Sequence, residues 1–81
     1  MRLTVQYFAR YREVLGLDSE SLEGTSSHLD DVRQLLLGRG EAWQVLAEQG
    51  LMCARNQALC TLAEPVESGD EVAFFPPVTG G

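Results

Sequence analysis

Short runs of alternating hydrophobic and polar residues predict several β-strands in this chain. In residues 3–8, the alternation places Leu3, Val5 and Tyr7 on one face and Phe8 on the other. We expect the first face to pack on the core and Phe8 to lie opposite to it. Further strands are predicted at residues 19–22, 51–55, 58–62 and 71–75.

One main helix is predicted after residue 27, where apolar residues recur at helical spacing. The apolar positions are Leu29, Val32, Leu35 and Leu36. Ser27 is the expected N-cap, with Asp30 three residues later in the manner of a capping box. Gly38 and Gly40 interrupt the pattern, so the helix is expected to end before them.

Two shorter helical pieces flank this helix in the prediction. The first covers residues 9–15 and is ended by Gly16. The second covers residues 41–48, with the inward residues Trp43, Leu46 and Ala47. A sheet of several strands with one principal helix is an α+β arrangement, in which the helix covers one face of the sheet. The other face would meet solvent or a partner.

Asn56 and Gln57 predict a tight hairpin, because asparagine tolerates the left-handed backbone of such turns. A two-residue hairpin there places Cys53 opposite Cys60. Two small thiols in the core and a redox pair are both compatible with this placement, and the core interpretation is favoured. Arg55, beside the turn, is expected to be exposed.

Length and charge limit the functions open to the chain. Its 81 residues suffice for one small domain, and its net charge of −6 disfavours nucleic acid and anionic membranes as partners. No apolar segment resembles a signal peptide or membrane span, so a cytoplasmic location is expected. The single histidine, His28, lies at a helix start, and no Cys/His cluster suggests a metal. A stand-alone enzyme is therefore not expected.

Residues 76–81 have the composition of an extended, flexible tail. Pro76 and Pro77 cannot donate to a sheet and favour an extended chain. Gly80 and Gly81 have no Cβ and can enter a narrow channel in another protein. Six extended residues reach about 20 Å. A Gly-Gly end is also compatible with a frayed terminus.

Residues 70–81, with the sequence DEVAFFPPVTGG, resemble the C-terminal signature of molybdopterin synthase small subunits. The resemblance continues at Asn56-Gln57, Ser68-Gly69, Tyr7-Phe8-Ala9 and Arg12-Glu13. It implies a β-grasp, ubiquitin-like fold with a mixed sheet in residues 1–75, followed by the tail in residues 76–81. It also implies that the chain is not catalytic alone but acts as the small subunit of a sulfurtransferase.

The resemblance assigns the chemistry to the C-terminal carboxyl group of Gly81, next to Gly80. An adenylyltransferase of the ubiquitin-activating type would use ATP to adenylate Gly81, which would then carry sulfur as a thiocarboxylate. The sulfur would pass to cyclic pyranopterin monophosphate in the large synthase subunit, forming the dithiolene of molybdopterin. Two small and two large subunits would form a heterotetramer, and the small subunit would hold no cofactor or metal.

Residues expected to contact these partners lie on the tail, on strand faces opposite the core (Phe8 and Phe75) and in the hairpin, where Leu59 matches an interface position of the family that the chain resembles. They are Phe75, Pro76, Pro77, Val78, Thr79, Phe8 and Leu59. Two other functions remain open: the related sulfur carrier for thiamin thiazole synthesis, and a ubiquitin-like protein modifier. The thiazole carriers do not resemble the Phe-Phe-Pro-Pro stretch, whereas a modifier would share the same acyl adenylate.

Overall fold

The structure, a computed structural model, describes residues 1–77. In chain order the elements are β1 (Arg2–Tyr7), α1 (Ala9–Leu15), β2 (Ser19–Glu23), α2 (Leu29–Leu37), a 3₁₀ helix (Ala42–Ala47), β3 (Met52–Arg55), β4 (Ala58–Cys60) and β5 (Glu71–Phe75). The predicted α+β order of strands and main helix is confirmed. Within residues 1–77, no helix is long and apolar enough to cross a membrane.

The five strands form one mixed sheet in the order β2-β1-β5-β3-β4. β1 and β5 are parallel, and the other neighbouring strands are antiparallel. The last strand in sequence, β5, therefore lies at the centre, where both of its edges are paired. This position accounts for its apolar sequence, since Val72, Ala73 and Phe74 are all buried.

One face of the sheet packs under α2. The register pairs Val5 with Val72 and Tyr7 with Phe74, so these four side chains share the covered face. They join the fully buried α2 residues Leu29, Val32 and Leu36 in one hydrophobic cluster. The expected core face of β1 is confirmed. Leu35 is 41% exposed, contrary to the prediction, because it lies about 90° around the helix from the centre of the stripe formed by Leu29, Val32 and Leu36.

The start of α2 is one residue later than predicted. His28 is the N-cap, and the Asp31 carboxylate accepts hydrogen bonds from the backbone N–H groups of Ser27 (3.0 Å) and His28 (3.1 Å). These bonds lower the pKa of Asp31. Asp30, the expected capping partner, instead forms an ion pair with Arg33 at 3.1 Å. The prediction placed the capping box on the wrong pair because adjacent polar residues give the same sequence signal.

The predicted second helical piece is a 3₁₀ helix, which explains one wrong burial prediction. With three residues per turn, Trp43 and Leu46 align on one side and Ala47 does not. Leu46 is fully buried, whereas Ala47 is exposed. Trp43 packs edge-on against Tyr7, with ring centroids 5.8 Å apart.

The strand ends differ slightly from the predictions, while the turns agree with them. The hairpin at Asn56 (φ 50°) and Gln57 (φ 71°) has the expected left-handed backbone. β4 ends at Cys60 rather than at residue 62, because a turn begins there, with the Glu64 N–H donating to the Thr61 carbonyl at 3.0 Å.

A buried carboxylate, Asp70, organises the loop before β5. It accepts bonds from Arg55 Nε (2.8 Å), Asn56 Nδ2 (3.1 Å) and the Glu67 N–H (2.7 Å). Burial alone would raise the pKa of Asp70, but the bonds from Arg55, Glu67 and Asn56 outweigh it and lower the pKa. Arg55 is thus half-buried rather than exposed as predicted, since it also contacts Glu64 at 3.3 Å.

Candidate docking face and the base of the tail

The face of the sheet opposite α2 carries an apolar hollow. Alternation along β5 directs Ala73 and Phe75 to this face, away from the covered side. The register pairs Ala54 with Ala73 and also with Leu59, which places all of these residues on the same face. Because Ala54 and Ala73 are small, the surface between their larger neighbours is depressed.

The hollow has a volume of about 270 Å³. It is lined by Gln6, Phe8, Ala54, Gln57, Leu59, Glu71, Ala73 and Phe75. Phe8 and Phe75 meet edge to face, with ring centroids 6.5 Å apart and planes inclined at 79°. Leu59 is 69% exposed and Phe8 is 44% exposed. We call this set of eight residues the open-face hollow.

Phe8 reaches the hollow because the chain continues the line of β1 for one residue. Its backbone is extended (φ −124°, ψ 159°) and it precedes α1 as the N-cap. The Phe8 N–H donates to the Phe74 carbonyl at 3.2 Å, which fixes it alongside β5. Alternation then directs the ring to the same face as Phe75.

The chemistry of the hollow suits contact with a protein rather than a reaction. Glu71 is the one charged residue in its lining, and Gln6 and Gln57 are neutral. An apolar centre containing aromatic residues and bordered by polar groups is the usual anatomy of a protein interface. The hollow therefore has the character of a docking surface, with Phe8, Leu59 and Phe75 as its large apolar side chains.

The tail begins at the rim of this hollow. Pro76 and Pro77 directly follow Phe75, are half-buried and belong to no strand, as expected from the missing N–H of proline. The other predicted tail residues, Val78, Thr79, Gly80 and Gly81, lie outside the described residues. The structure thus places Phe8, Leu59, Phe75, Pro76 and Pro77 on or beside one surface.

The two thiols lie on the covered side of the sheet. Cys53 lies opposite Phe74 on β5 and opposite Cys60 on β4. The sulfur atoms of Cys53 and Cys60 are 3.9 Å apart, within the range of a weak hydrogen bond, and they form no disulfide. Burial, followed by the neighbouring Cys60, raises the pKa of the Cys53 thiol to about 12, and burial also raises that of Cys60. Such a shift keeps Cys53 protonated at neutral pH, which agrees with a core thiol.

The remaining polar candidates have structural partners. His28 is about half exposed and lies 3.5 Å from the Asp31 carboxylate, as a residue at a helix start. Among the residues that the structure describes, no three Cys, His, Asp or Glu side chains are grouped so as to hold a metal ion.

Sequence reasoning missed the floor and the polar rim of the hollow. Ala54 and Ala73 form the floor, while Gln6, Gln57 and Glu71 border it. The alanines could have been found from the alternation of β5 and β3, had the strand order been known. Their common location depends on β5 pairing between β1 and β3, a long-range arrangement that no local pattern encodes.

A mixed sheet with one main helix and a central last strand defines the ubiquitin-like β-grasp class. The chain matches the model of the ThiS family over residues 5–81, and it belongs to that family. It is 45% identical to the molybdopterin synthase sulfur carrier subunit of Haemophilus influenzae over 80 residues, covering 98% of this chain and 99% of the relative.

Solved structures agree with this classification. SAMP1 from Haloferax volcanii, a small archaeal modifier protein, is 26% identical, with a TM-score of 0.82 and full coverage of both chains. A structure of the complex of subunits 1 and 2 of the molybdopterin-converting factor from Helicobacter pylori contains a chain of the same fold. That chain is 23% identical, with a TM-score of 0.69 and full coverage of both chains.

Proposed function

We propose that this chain is the sulfur carrier subunit of molybdopterin synthase, and that Gly81 bears the sulfur. The observation that carries the proposal is its 45% identity, over nearly the full length of both chains, to a relative with that name. The family match extends through residue 81, so it includes the Gly-Gly end.

The chemistry begins at the carboxylate of Gly81, which is ionised at neutral pH and resists nucleophiles. Attack of one carboxylate oxygen on the α-phosphorus of ATP forms an acyl adenylate and releases pyrophosphate. A sulfide donor then attacks the carbonyl carbon, the bond to the phosphate oxygen breaks, and AMP leaves. The product is a thiocarboxylate, which is a better sulfur nucleophile than the carboxylate and stores one sulfur atom. In this proposal both steps occur on the activating enzyme.

In this proposal the chain itself performs no reaction step; it docks on its partners and brings its C-terminal residues to their active sites. The open-face hollow supplies exposed apolar area from Phe8, Leu59 and Phe75 beside the base of the tail. Burying such aromatic and aliphatic side chains is the main source of affinity at many interfaces. We assign this surface to the large subunit of the synthase, where two successive sulfur transfers would convert cyclic pyranopterin monophosphate to the dithiolene. Two small and two large subunits would make up the assembly.

An intact-mass measurement tests the sulfur chemistry directly. The chain is incubated with ATP, sulfide and an adenylating enzyme of the ubiquitin-activating type. We expect its mass to increase by the difference between one sulfur and one oxygen atom, with the change confined to the C-terminal peptide. The control lacks Gly81 and has the same globular domain. An unchanged mass in the full chain, or an equal gain in the control, would reject Gly81 as the sulfur site.

A protein modifier is the second candidate, favoured by the similarity to SAMP1 at a TM-score of 0.82. The same incubation distinguishes the two functions if lysine-containing proteins are present. A modifier would form isopeptide-linked conjugates that resist thiol reagents, whereas a carrier would accumulate the thiocarboxylate. The thiamin thiazole carrier would also gain sulfur, so it is distinguished by supplying a thiazole synthase rather than the large subunit of molybdopterin synthase.

A further inference from the structure

The register of β3 and β5 continues past the last hydrogen-bonded pair. Met52 is opposite Phe75 at the end of the ladder. The same antiparallel register places residue 51 opposite Pro76 and Gly50 opposite Pro77. Neither proline has an N–H to donate to β3, and the N–H of residue 51 donates to the Glu48 carbonyl at 3.2 Å instead of across the register.

Gly50 and Pro77 are neighbours at this extended position. A Cβ atom at Gly50 would lie 3.6 Å, an ordinary van der Waals distance, from both Cβ and Cγ of Pro77, so the pyrrolidine ring lies beside the bare side of the glycine, which is otherwise exposed. Gly50 has a φ of +91°, which disfavours any other residue. Pro77 is half-buried, in agreement with this contact.

We propose that Gly50 is a positioning residue that seats Pro77 and thereby fixes the point from which the tail departs. The proposal rests on the sulfur-carrier function above. With Pro77 held against Gly50, Pro76 and Pro77 need no further ordering when the tail enters a partner, which lowers the entropic cost of insertion. Four residues span at most about 14 Å, so the reacting centre of the partner lies within that distance of Pro77.

Gly69 provides a matched control for the test. Its φ of +92° equals that of Gly50 within a degree, but nothing lies within 4 Å of a Cβ built there. Gly50→Asn and Gly69→Asn therefore both place an L side chain at nearly the same positive φ. Only Gly50→Asn inserts a side chain against Pro77. Single-turnover sulfur transfer and the affinity for the large synthase subunit are measured for both variants.

We expect Gly50→Asn to slow single-turnover transfer by about tenfold to 100-fold, as for a reactant that is no longer aligned. Its affinity for the large subunit should change far less, because the open-face hollow is intact. Gly69→Asn should leave both quantities close to those of the unaltered chain. Equal transfer rates for the two variants would overturn the proposal, as would a loss of affinity that accounts for the whole effect of Gly50→Asn.

Pro77→Ala removes the ring from the other side of the contact. We expect it to slow transfer similarly, with little further loss when it is combined with Gly50→Asn, because each change alone disrupts the same contact. Fully additive effects would contradict the seat. Independently of sulfur chemistry, NMR should detect nuclear Overhauser effects between the Gly50 Hα and Pro77 Hγ protons. If these effects are absent, the packing of Pro77 on Gly50 is rejected. If they are present in a chain that never gains sulfur, only the proposed sulfur-carrier function is rejected.

Discussion

The two faces of the sheet differ in what they contribute, although the same strands build both. On the covered face, Val72 and Phe74 of β5 are fully buried under α2. On the open face, the alternate residues Ala73 and Phe75 line a hollow beside exposed Leu59. Adjacent residues of one strand thus have different roles: Phe74 stabilises the fold, and Phe75 offers surface to a partner. This separation lets each face be changed on its own.

Thiol reactivity should show the largest difference between the faces. Cys53 on the covered face has a pKa of about 12, whereas a cysteine at exposed position 59 should keep a pKa of about 8.5. At pH 8, the Cys53 thiolate fraction is then lower by about 10³-fold. We expect iodoacetamide to alkylate Cys53 slower by a comparable factor than Leu59→Cys in the same molecule, as followed by peptide mass.

The pH dependence of alkylation gives the control. Because burial raises the pKa of Cys53, its rate should still be increasing at about pH 10 in the folded chain. The rate at Leu59→Cys should level off above about pH 8.5. Similar rates and similar pH profiles at the two sites would mean that the covered face does not shield Cys53.

Truncating the neighbouring residues Phe74 and Phe75 should lower the free energy of unfolding by very different amounts. Phe74→Ala removes a fully buried ring and should lower the free energy of unfolding by about 3–5 kcal/mol. Phe75→Ala removes a half-buried ring at the surface and should cost about 1 kcal/mol or less. Urea unfolding followed by Trp43 fluorescence measures both.

Such a loss can exceed the whole stability of a domain of this size. If Phe74→Ala does not fold, Phe74→Leu retains most of the volume and should still cost more than Phe75→Leu. Equal losses at positions 74 and 75 would contradict the assignment of the two side chains to opposite faces.

Phe75, whose truncation should affect stability little, should be important for affinity to the partner. On the proposed function, Phe75→Ala should weaken binding to the large synthase subunit by about 30-fold, equivalent to roughly 2 kcal/mol. Val14→Ala is the matched control, because Val14 is 50% exposed on α1 and lies outside the hollow. It should leave the affinity, measured by titration calorimetry, unchanged. An affinity unaffected by Phe75→Ala would remove the hollow from the interface.

Local sequence patterns were enough to predict the elements and much of the core. Alternation identified Leu3, Val5 and Tyr7 as inward, and the Asn56-Gln57 turn fixed the pairing of Cys53 with Cys60. The predictions failed where a shift of one residue changes the outcome. At the start of α2, for example, the capping carboxylate is Asp31 and not the expected Asp30. The predictions also failed at Ala47, where 3₁₀ geometry replaces the α-helical period.

The candidate site was less predictable because it depends on strand order. Phe8 and Phe75 were expected to lie opposite the core, and Leu59 was expected at the interface from the family resemblance, but sequence spacing could not show that all three line one hollow. Nor could it show that Arg55 turns back to Asp70, since this contact joins residues 15 positions apart across a turn. The seat of Pro77 on Gly50 likewise requires the β3–β5 register.

Asp70 helps to keep Phe74 and Phe75 on opposite faces of the sheet because it fixes where β5 begins. A slip of one residue would exchange Phe74 and Phe75 between the faces. Asp70 opposes such a slip by accepting bonds from Arg55 and Asn56, which end β3 and begin the hairpin turn. Asp70→Asn places an amide donor among these donors. We expect a loss of about 1–2 kcal/mol in the free energy of unfolding at pH 7.

The loss should depend on pH with a definite sign. Because the pKa of Asp70 is lowered in the folded chain, its stabilisation is fully present above the pKa of the unfolded chain. It disappears as the pH falls through the folded pKa, so the difference between Asp70→Asn and the unaltered chain should shrink in acid. Urea unfolding between pH 7 and pH 3 tests this. A constant difference would mean that the geometry of residue 70, and not its charge, holds β5 in the register that separates the two faces.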